Sequence, residues 1–169
     1  FDVFEKSAIV AASTKGDKMK KIILSMAILI NAFSALAAED ICGLWTTIDD
    51  ETGQAKSIVQ VYEYNGKHYG RVVDLIKNKD AVASKLTGAP KIIGLDVIWD
   101  LKDEGKRFAG GKIMDPVKGK VYGCEAWREG DKLIVRGKIA FLGRNQTWVK
   151  AADDAAEAVA NPKPFIRTP

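Results

Sequence analysis

From residue 43 to residue 150, apolar and polar side chains alternate with a period of two, and no helical period interrupts them. Such alternation puts successive side chains on opposite faces, the mark of strands with one buried face. Turn residues cut it into eight strand-length segments, at about 43–48, 56–64, 67–76, 92–101, 107–113, 120–128, 132–140 and 144–150. Asn65-Gly66 is the sharpest turn signal, because both residues tolerate φ > 0 and set a two-residue hairpin. Asp49-Asp50-Glu51-Thr52-Gly53, Asp103-Glu104-Gly105, Asp115-Pro116-Val117-Lys118-Gly119, Glu129-Gly130-Asp131 and Gly143 mark further turns. Gly110-Gly111, inside the fifth segment, predicts a bulge or a sharp bend.

Short connections predict sequential up-and-down pairing. The exception is the polar stretch 77–91, which is placed at a mouth as a functional or mobile loop. Closing eight antiparallel strands on themselves removes both edges and leaves room for one small ligand. The expected fold is therefore all-β, an eight-stranded antiparallel up-and-down barrel over 38–150. A short C-terminal helix is expected over the Ala-rich residues 151–160, followed by a loose tail around Pro162 and Pro164.

Ahead of the alternating region, residues 19–37 read as a secretory signal peptide. Met19-Lys20-Lys21 is a basic n-region, residues 22–33 are an apolar run, and Ala35-Leu36-Ala37 offers the small residues of a cleavage site. The run is too short for a permanent span. Cys42 lies too far beyond the cleavage site to carry a lipid anchor. Residues 1–18 are read as a non-native N-terminal extension. A periplasmic or secreted bacterial protein, with no permanent membrane anchor, is the expectation.

Charge narrows the partners. The chain has 26 Lys and Arg against 22 Asp and Glu, and beyond residue 37 the balance falls to 21 against 19. Basic residues are interspersed with acids, so no stripe tracks phosphates, and nucleic acid is not an expected partner.

Candidate chemistry is sparse. The single histidine, His68, sits beside the Asn-Gly turn with no nucleophile suggested nearby and is read as an exposed strand residue. Asp96 and Asp100 share a strand face opposite Ile93, Leu95, Val97 and Trp99 and are assigned to solvent. Gly110-Gly111 opens no helix and so is no phosphate loop. Cys42 and Cys124 match no zinc spacing. In an oxidising compartment they form either one disulfide, closing a loop of about eighty residues, or two separate small apolar side chains. No catalytic residue, metal or cofactor is expected.

Two short motifs bracket the strands, Gly43-Leu44-Trp45 and Arg144-Asn145-Gln146-Thr147-Trp148. First and last strands are neighbours in a closed barrel. Gly43, Trp45, Arg144, Gln146 and Trp148 are therefore assigned to barrel closure, with the Trp45 indole plugging the floor and the Arg144 guanidinium stacked on it. Alternation nominates Tyr69, Val73, Leu95, Val97, Trp99, Trp127, Leu133 and Val135 as the lining of a ligand site, with Leu75 and Ile139 on the same faces. The sixth segment is ambiguous: Val121, Glu125 and Trp127 share one face, and Tyr122, Cys124 and Ala126 the other.

From Cys42 to Lys150 the chain resembles the bacterial exported proteins grouped as domain of unknown function 2147. Gly43-Leu44-Trp45, Val61-Tyr62-Glu63-Tyr64, Gly70-Arg71-Val72-Val73, Ile93-Gly94-Leu95, residues 110–116, Gly119-Lys120-Val121-Tyr122, Leu133-Ile134-Val135-Arg136-Gly137 and residues 142–148 carry the resemblance. It implies a lipocalin-like barrel and a small apolar ligand. The chain departs from the family pattern where many members carry a Cys pair flanking the hairpin and this one has Tyr64 and Tyr69. Its polar loop before Ile92 is also shorter.

The resulting expectation is a non-catalytic binding protein for a small apolar or amphipathic molecule. The alternative is a filled barrel whose loops, chiefly 77–91, bind a protein partner at the envelope. A cavity below about 300 Å³ would favour the second.

Overall fold

The computed structural model describes residues 38–169; the expected signal segment and the extension ahead of it lie outside the described residues. Eight strands run in order: β1 (Gly43–Ile48), β2 (Ala55–Tyr64), β3 (Lys67–Leu75), β4 (Asp96–Asp103), β5 (Phe108–Asp115), β6 (Lys120–Glu129), β7 (Lys132–Ile139) and β8 (Leu142–Lys150). Each pairs antiparallel with the next, and β8 returns to β1 through Trp45↔Lys150 and Thr46↔Val149 to close the barrel. At the β2–β3 hairpin, Asn65 and Gly66 both take positive φ, 51° and 73°, the geometry their sequence favours.

Register fixes which side chains face inward. Trp45 opposes Val59, Val59 opposes Val72, Ile98 opposes Ile113, Ile113 opposes Tyr122, Val135 opposes Gln146 and Leu133 opposes Trp148. Directly opposed residues share a face, so these belong to the interior. The register shifts in five places, and two of them decide which residues of β3 and β4 face the cavity. Between Ile58↔Asp74 and Val59↔Val72, β3 carries the extra residue Val73, and between Gly70↔Ile98 and Arg71↔Asp96, β4 carries Val97. At Gly111 the strands come too close for a side chain, and at Gly70 a Cβ would sit tightly, 3.1 Å from Ile98 Cβ. A Cβ on Gly111 would lie 2.6 Å from the Trp99 carbonyl oxygen.

The fourth strand begins later than the expected 92–101. Ile92 N–H donates to the Ala81 carbonyl (3.0 Å), and Gly94, at φ 94°, donates to that of Val72 (2.7 Å). These residues form a turn and not the first half of a strand. Nor is the loop ahead of them loose. Val82 bridges Lys91, and Ala83 and Leu86 are buried in the core.

The expected C-terminal helix is absent: residues 151–169 contain one turn, Ala155 N–H to Ala152 O at 3.0 Å, and are otherwise irregular. Ten Ala-rich residues before two prolines are too few to hold an isolated helix. The tail instead docks on the outer wall of β2–β4. Gln60 exchanges two hydrogen bonds with the Val159 backbone (2.9 and 3.0 Å), Arg71 donates to the Lys163 carbonyl, and Asp96 N–H donates to that of Phe165 (3.0 Å). Asp96, assigned to the solvent face by alternation, is 0% exposed. Its carboxylate accepts from Tyr62 Oη at 3.0 Å, from Arg71 and from the Phe165 N–H.

Candidate functional site

The barrel interior is divided. One half is filled by Trp45, Val61, Leu101, Phe108, Cys124, Ala126, Leu133 and Val135, all buried. The other half opens to solvent as a cavity of about 1020 Å³, at the upper end of the roughly 300–1,000 Å³ that small-molecule sites occupy. Val59, Val72, Leu75, Val97, Ile113, Met114 and Trp148 give it apolar walls, and Thr47, Ser57, Tyr122 and Gln146 add polar atoms. Thr47 and Ser57 spend their hydroxyls on each other at 2.7 Å. Trp148 is 2% exposed, and its buried Nε1–H finds no protein acceptor.

The β1–β2, β5–β6 and β7–β8 turns and the loop before β4 surround the mouth. Asp49 caps the first of these turns, accepting from Thr52 N–H at 2.9 Å and Glu51 N–H at 3.1 Å. The Thr52 bonds hold its carboxyl below the usual range. Across the β1–β8 seam, Asp50 binds Arg144 at 3.1 Å and Gln146 Nε2 at 3.2 Å, tying the two strand ends together at the rim.

Of the eight residues nominated for the lining, Val97 alone lines the cavity. Leu133 and Val135 do point inward, but into the filled half. Leu95 is wholly buried in the turn before β4. Trp99 is buried too, though its register partner is the exposed Lys112 on the face away from the cavity. Tyr69 and Val73 fall on the outer wall, because His68, Gly70 and Val72 take the inner positions; Tyr69 stacks on Tyr62 and donates to Asp100 at 3.2 Å. Trp127 is also outside: Tyr122, Cys124 and Ala126 are the inward set of β6, and the Trp127 indole donates to Glu129 at 2.9 Å. Beyond the bulge Leu75 does line the cavity, as does Ile139 at the rim.

Trp45 is buried in the filled half, with its Nε1–H on the Ile41 carbonyl at 2.9 Å. The guanidinium over its ring is that of Arg128, 5.6 Å from the centroid. Arg144 lies at the opposite end, at the mouth, because it opposes Gly137 and not the start of β7. Gln146 and Trp148 share its face but line the cavity, and Gly43 begins β1 with a φ of 138°. Cys42 and Cys124 are free thiols in the structure, Cys42 ahead of β1 and Cys124 buried inside the barrel. Burial pushes the Cys124 thiol up to about 12. Val59, Val72 and Met114 were not among the sequence candidates. An unbroken alternation puts Val72 on the wrong face, and only the Val73 bulge reconciles Val72 with Leu75.

A closed eight-stranded antiparallel barrel with one solvent-open, mostly apolar interior is a lipocalin-like fold. The model of a bacterial family described as "Uncharacterized protein conserved in bacteria (DUF2147)" matches residues 43–150, and the chain belongs to that family. Among solved structures it is similar to protein HP1028 from the human pathogen Helicobacter pylori, which belongs to the lipocalin family. The two are 22% identical, with 68% of this chain and 85% of that one covered and a TM-score of 0.57. No curated protein matches the chain. Among the described residues, no helix is long and apolar enough to cross a membrane.

Proposed function

We propose that this protein is an exported carrier that binds one small apolar or amphipathic molecule noncovalently in the open half of its barrel. The cavity of about 1020 Å³ carries this reading, since a filled interior would leave no room for a ligand. Its aliphatic walls suit a hydrocarbon body, and the unpartnered Trp148 Nε1–H suits a single acceptor group carried deep into the site. Residues 19–37 would direct export and be removed after Ala37, leaving a periplasmic or secreted chain beginning at Ala38.

The test is native mass spectrometry of protein purified gently from its host envelope, followed by displacement of a fluorescent fatty acid. A co-purifying small molecule, with probe binding weakened at least about tenfold (about 1.4 kcal/mol) by the cavity-filling Leu75→Trp, is the expected result. A clean apo mass with no response to a broad lipid panel would sink the carrier reading. N-terminal sequencing of the exported protein tests the signal; a start at Phe1 would refute it.

One observation favours an interaction protein as the second reading. Val117, Ile139, Phe141 and Leu142 form an apolar rim at the mouth, 58–88% exposed. Under that reading, polar substitution of Phe141 abolishes capture of a partner and leaves lipid binding unchanged.

A further inference from the structure

At the closed end, away from the cavity, Asp40, Cys42 and His68 each offer one donor atom, and the three atoms all lie within 4.8 Å of one another. The barrel register assembles them. Cys42 immediately precedes β1, which pairs with β2 from Gly43↔Val61, and β2 carries Glu63 opposite His68 on β3. The start of the chain's first strand therefore lies beside the end of its second and the start of its third. Asp40 is held in place by its own backbone neighbour, accepting the Cys42 N–H on Oδ1 at 2.8 Å.

His68 supplies an independent observation. It is only 8% exposed, packed edge-on against Phe108 at 4.5 Å between centroids, and its Nδ1 has no hydrogen-bond partner in the protein. Two carboxylates bear on the same spot. Burial first, then Asp40 and the charge of Glu63, push the Cys42 thiol up. Glu63, Asp40 and Asp103 act on His68. The positive group on this side is Arg128, but it is engaged with the Asp40 carbonyl (3.3 Å), the Gly130 carbonyl (2.8 Å) and the face of Trp45.

We propose that Asp40, Cys42 and His68 bind one zinc-like divalent transition-metal ion at the closed end of the barrel, with a fourth position open to water. One sulfur, one imidazole nitrogen and one carboxylate oxygen select a borderline ion of the zinc type over calcium or magnesium, which prefer oxygen alone. Binding forms the metal–sulfur bond as the thiol S–H breaks, and that proton leaves to solvent. The ion fastens the segment ahead of β1 to β3 across the barrel floor, which no strand pairing does.

Co²⁺ titrated into the reduced protein provides the test. One equivalent is expected to bind with a near-ultraviolet thiolate-to-cobalt charge-transfer band, release of a proton, and displacement by Zn²⁺. Cys42→Ser is expected to abolish the band. Asp40→Asn, at an exposed position ahead of the barrel that leaves folding intact, should weaken binding at least about tenfold, as loss of a metal-site carboxylate does. A wild-type protein showing no thiolate band, a band that survives Cys42→Ser and so belongs to Cys124, or unchanged affinity in Asp40→Asn would each overturn the assignment.

Discussion

Arg71 Nη2 meets Asp96 Oδ2 at 2.9 Å on the outer wall of the barrel, and yet neither side chain reaches solvent by more than 10%. The C-terminal tail makes this possible. Phe165 gives its N–H to Asp96 and Lys163 its carbonyl to Arg71, so the ion pair is also the buckle that holds the last residues down. Tyr62 completes the group, its hydroxyl driven well above the ordinary tyrosine range by burial and by the Asp96 charge.

Breaking one side of this group leaves the other charge buried without its counterion. Asp96→Ala is expected to lower stability by about 3–5 kcal/mol, read as a fall in the urea midpoint at unchanged slope. Ending the chain before residue 161 should cost less, because solvent then reaches both charges. The two changes together should cost less than their sum, since each disrupts the same contacts.

Gly111 tests the packing between β4 and β5. A methyl group there meets backbone, the Trp99 carbonyl at 2.6 Å and the Leu101 nitrogen at 2.8 Å, and backbone cannot swing aside. Gly111→Ala is expected to destabilise by about 1–3 kcal/mol. Gly123→Ala, whose Cβ would come no closer than 3.6 Å to its neighbours, should stay within about 0.5 kcal/mol. Thermal melts of the pair check both.

Trp148→Phe separates the cost of a buried donor from its use. Removing an N–H that has no protein acceptor should leave the unliganded barrel as stable as before or slightly more so. Affinity for fatty acids should fall while affinity for a pure hydrocarbon of matching length holds, measured side by side by displacement titration.

Glu125 gives an acid-limb prediction. Its hydrogen bond with Lys138 and the charges of Lys138 and Arg107 hold the carboxyl below its ordinary 4.5, against the opposing effect of burial. A carboxylate lowered on folding adds stability above that ordinary value and loses it as pH falls through the lowered one. Glu125→Gln should therefore flatten the loss of stability below about pH 4.5 and leave the profile above pH 6 parallel to wild type, followed by urea midpoints across pH.

The strand count, the order of pairing, the Asn65-Gly66 hairpin and closure between the first and last strands were all legible, because each depends on local periodicity or on turn chemistry. The lining was not. Val73 and Val97 each add a residue that reverses the inward set, and since each stands beside a second apolar residue, Val72 and Ile98, alternation does not tell which of the two points inward. Arg144 failed for another reason: alternation tells the face of a strand but not the height along the barrel axis, and register puts this residue at the mouth. Asp96 failed because an outer-wall position is exposed only while nothing covers it, and the cover comes from residues whose composition pointed to a helix. The His68 environment depends on three segments meeting, which spacing along one of them cannot reveal.

Closure draws on segments about a hundred residues apart, β1 and β8. Trp45 and Thr46 wait for Val149 and Lys150, and Asp96 waits for Phe165. A polypeptide emerging from the ribosome amino end first cannot complete the wall until β8 is out, nor fasten the buckle until Phe165 has been added.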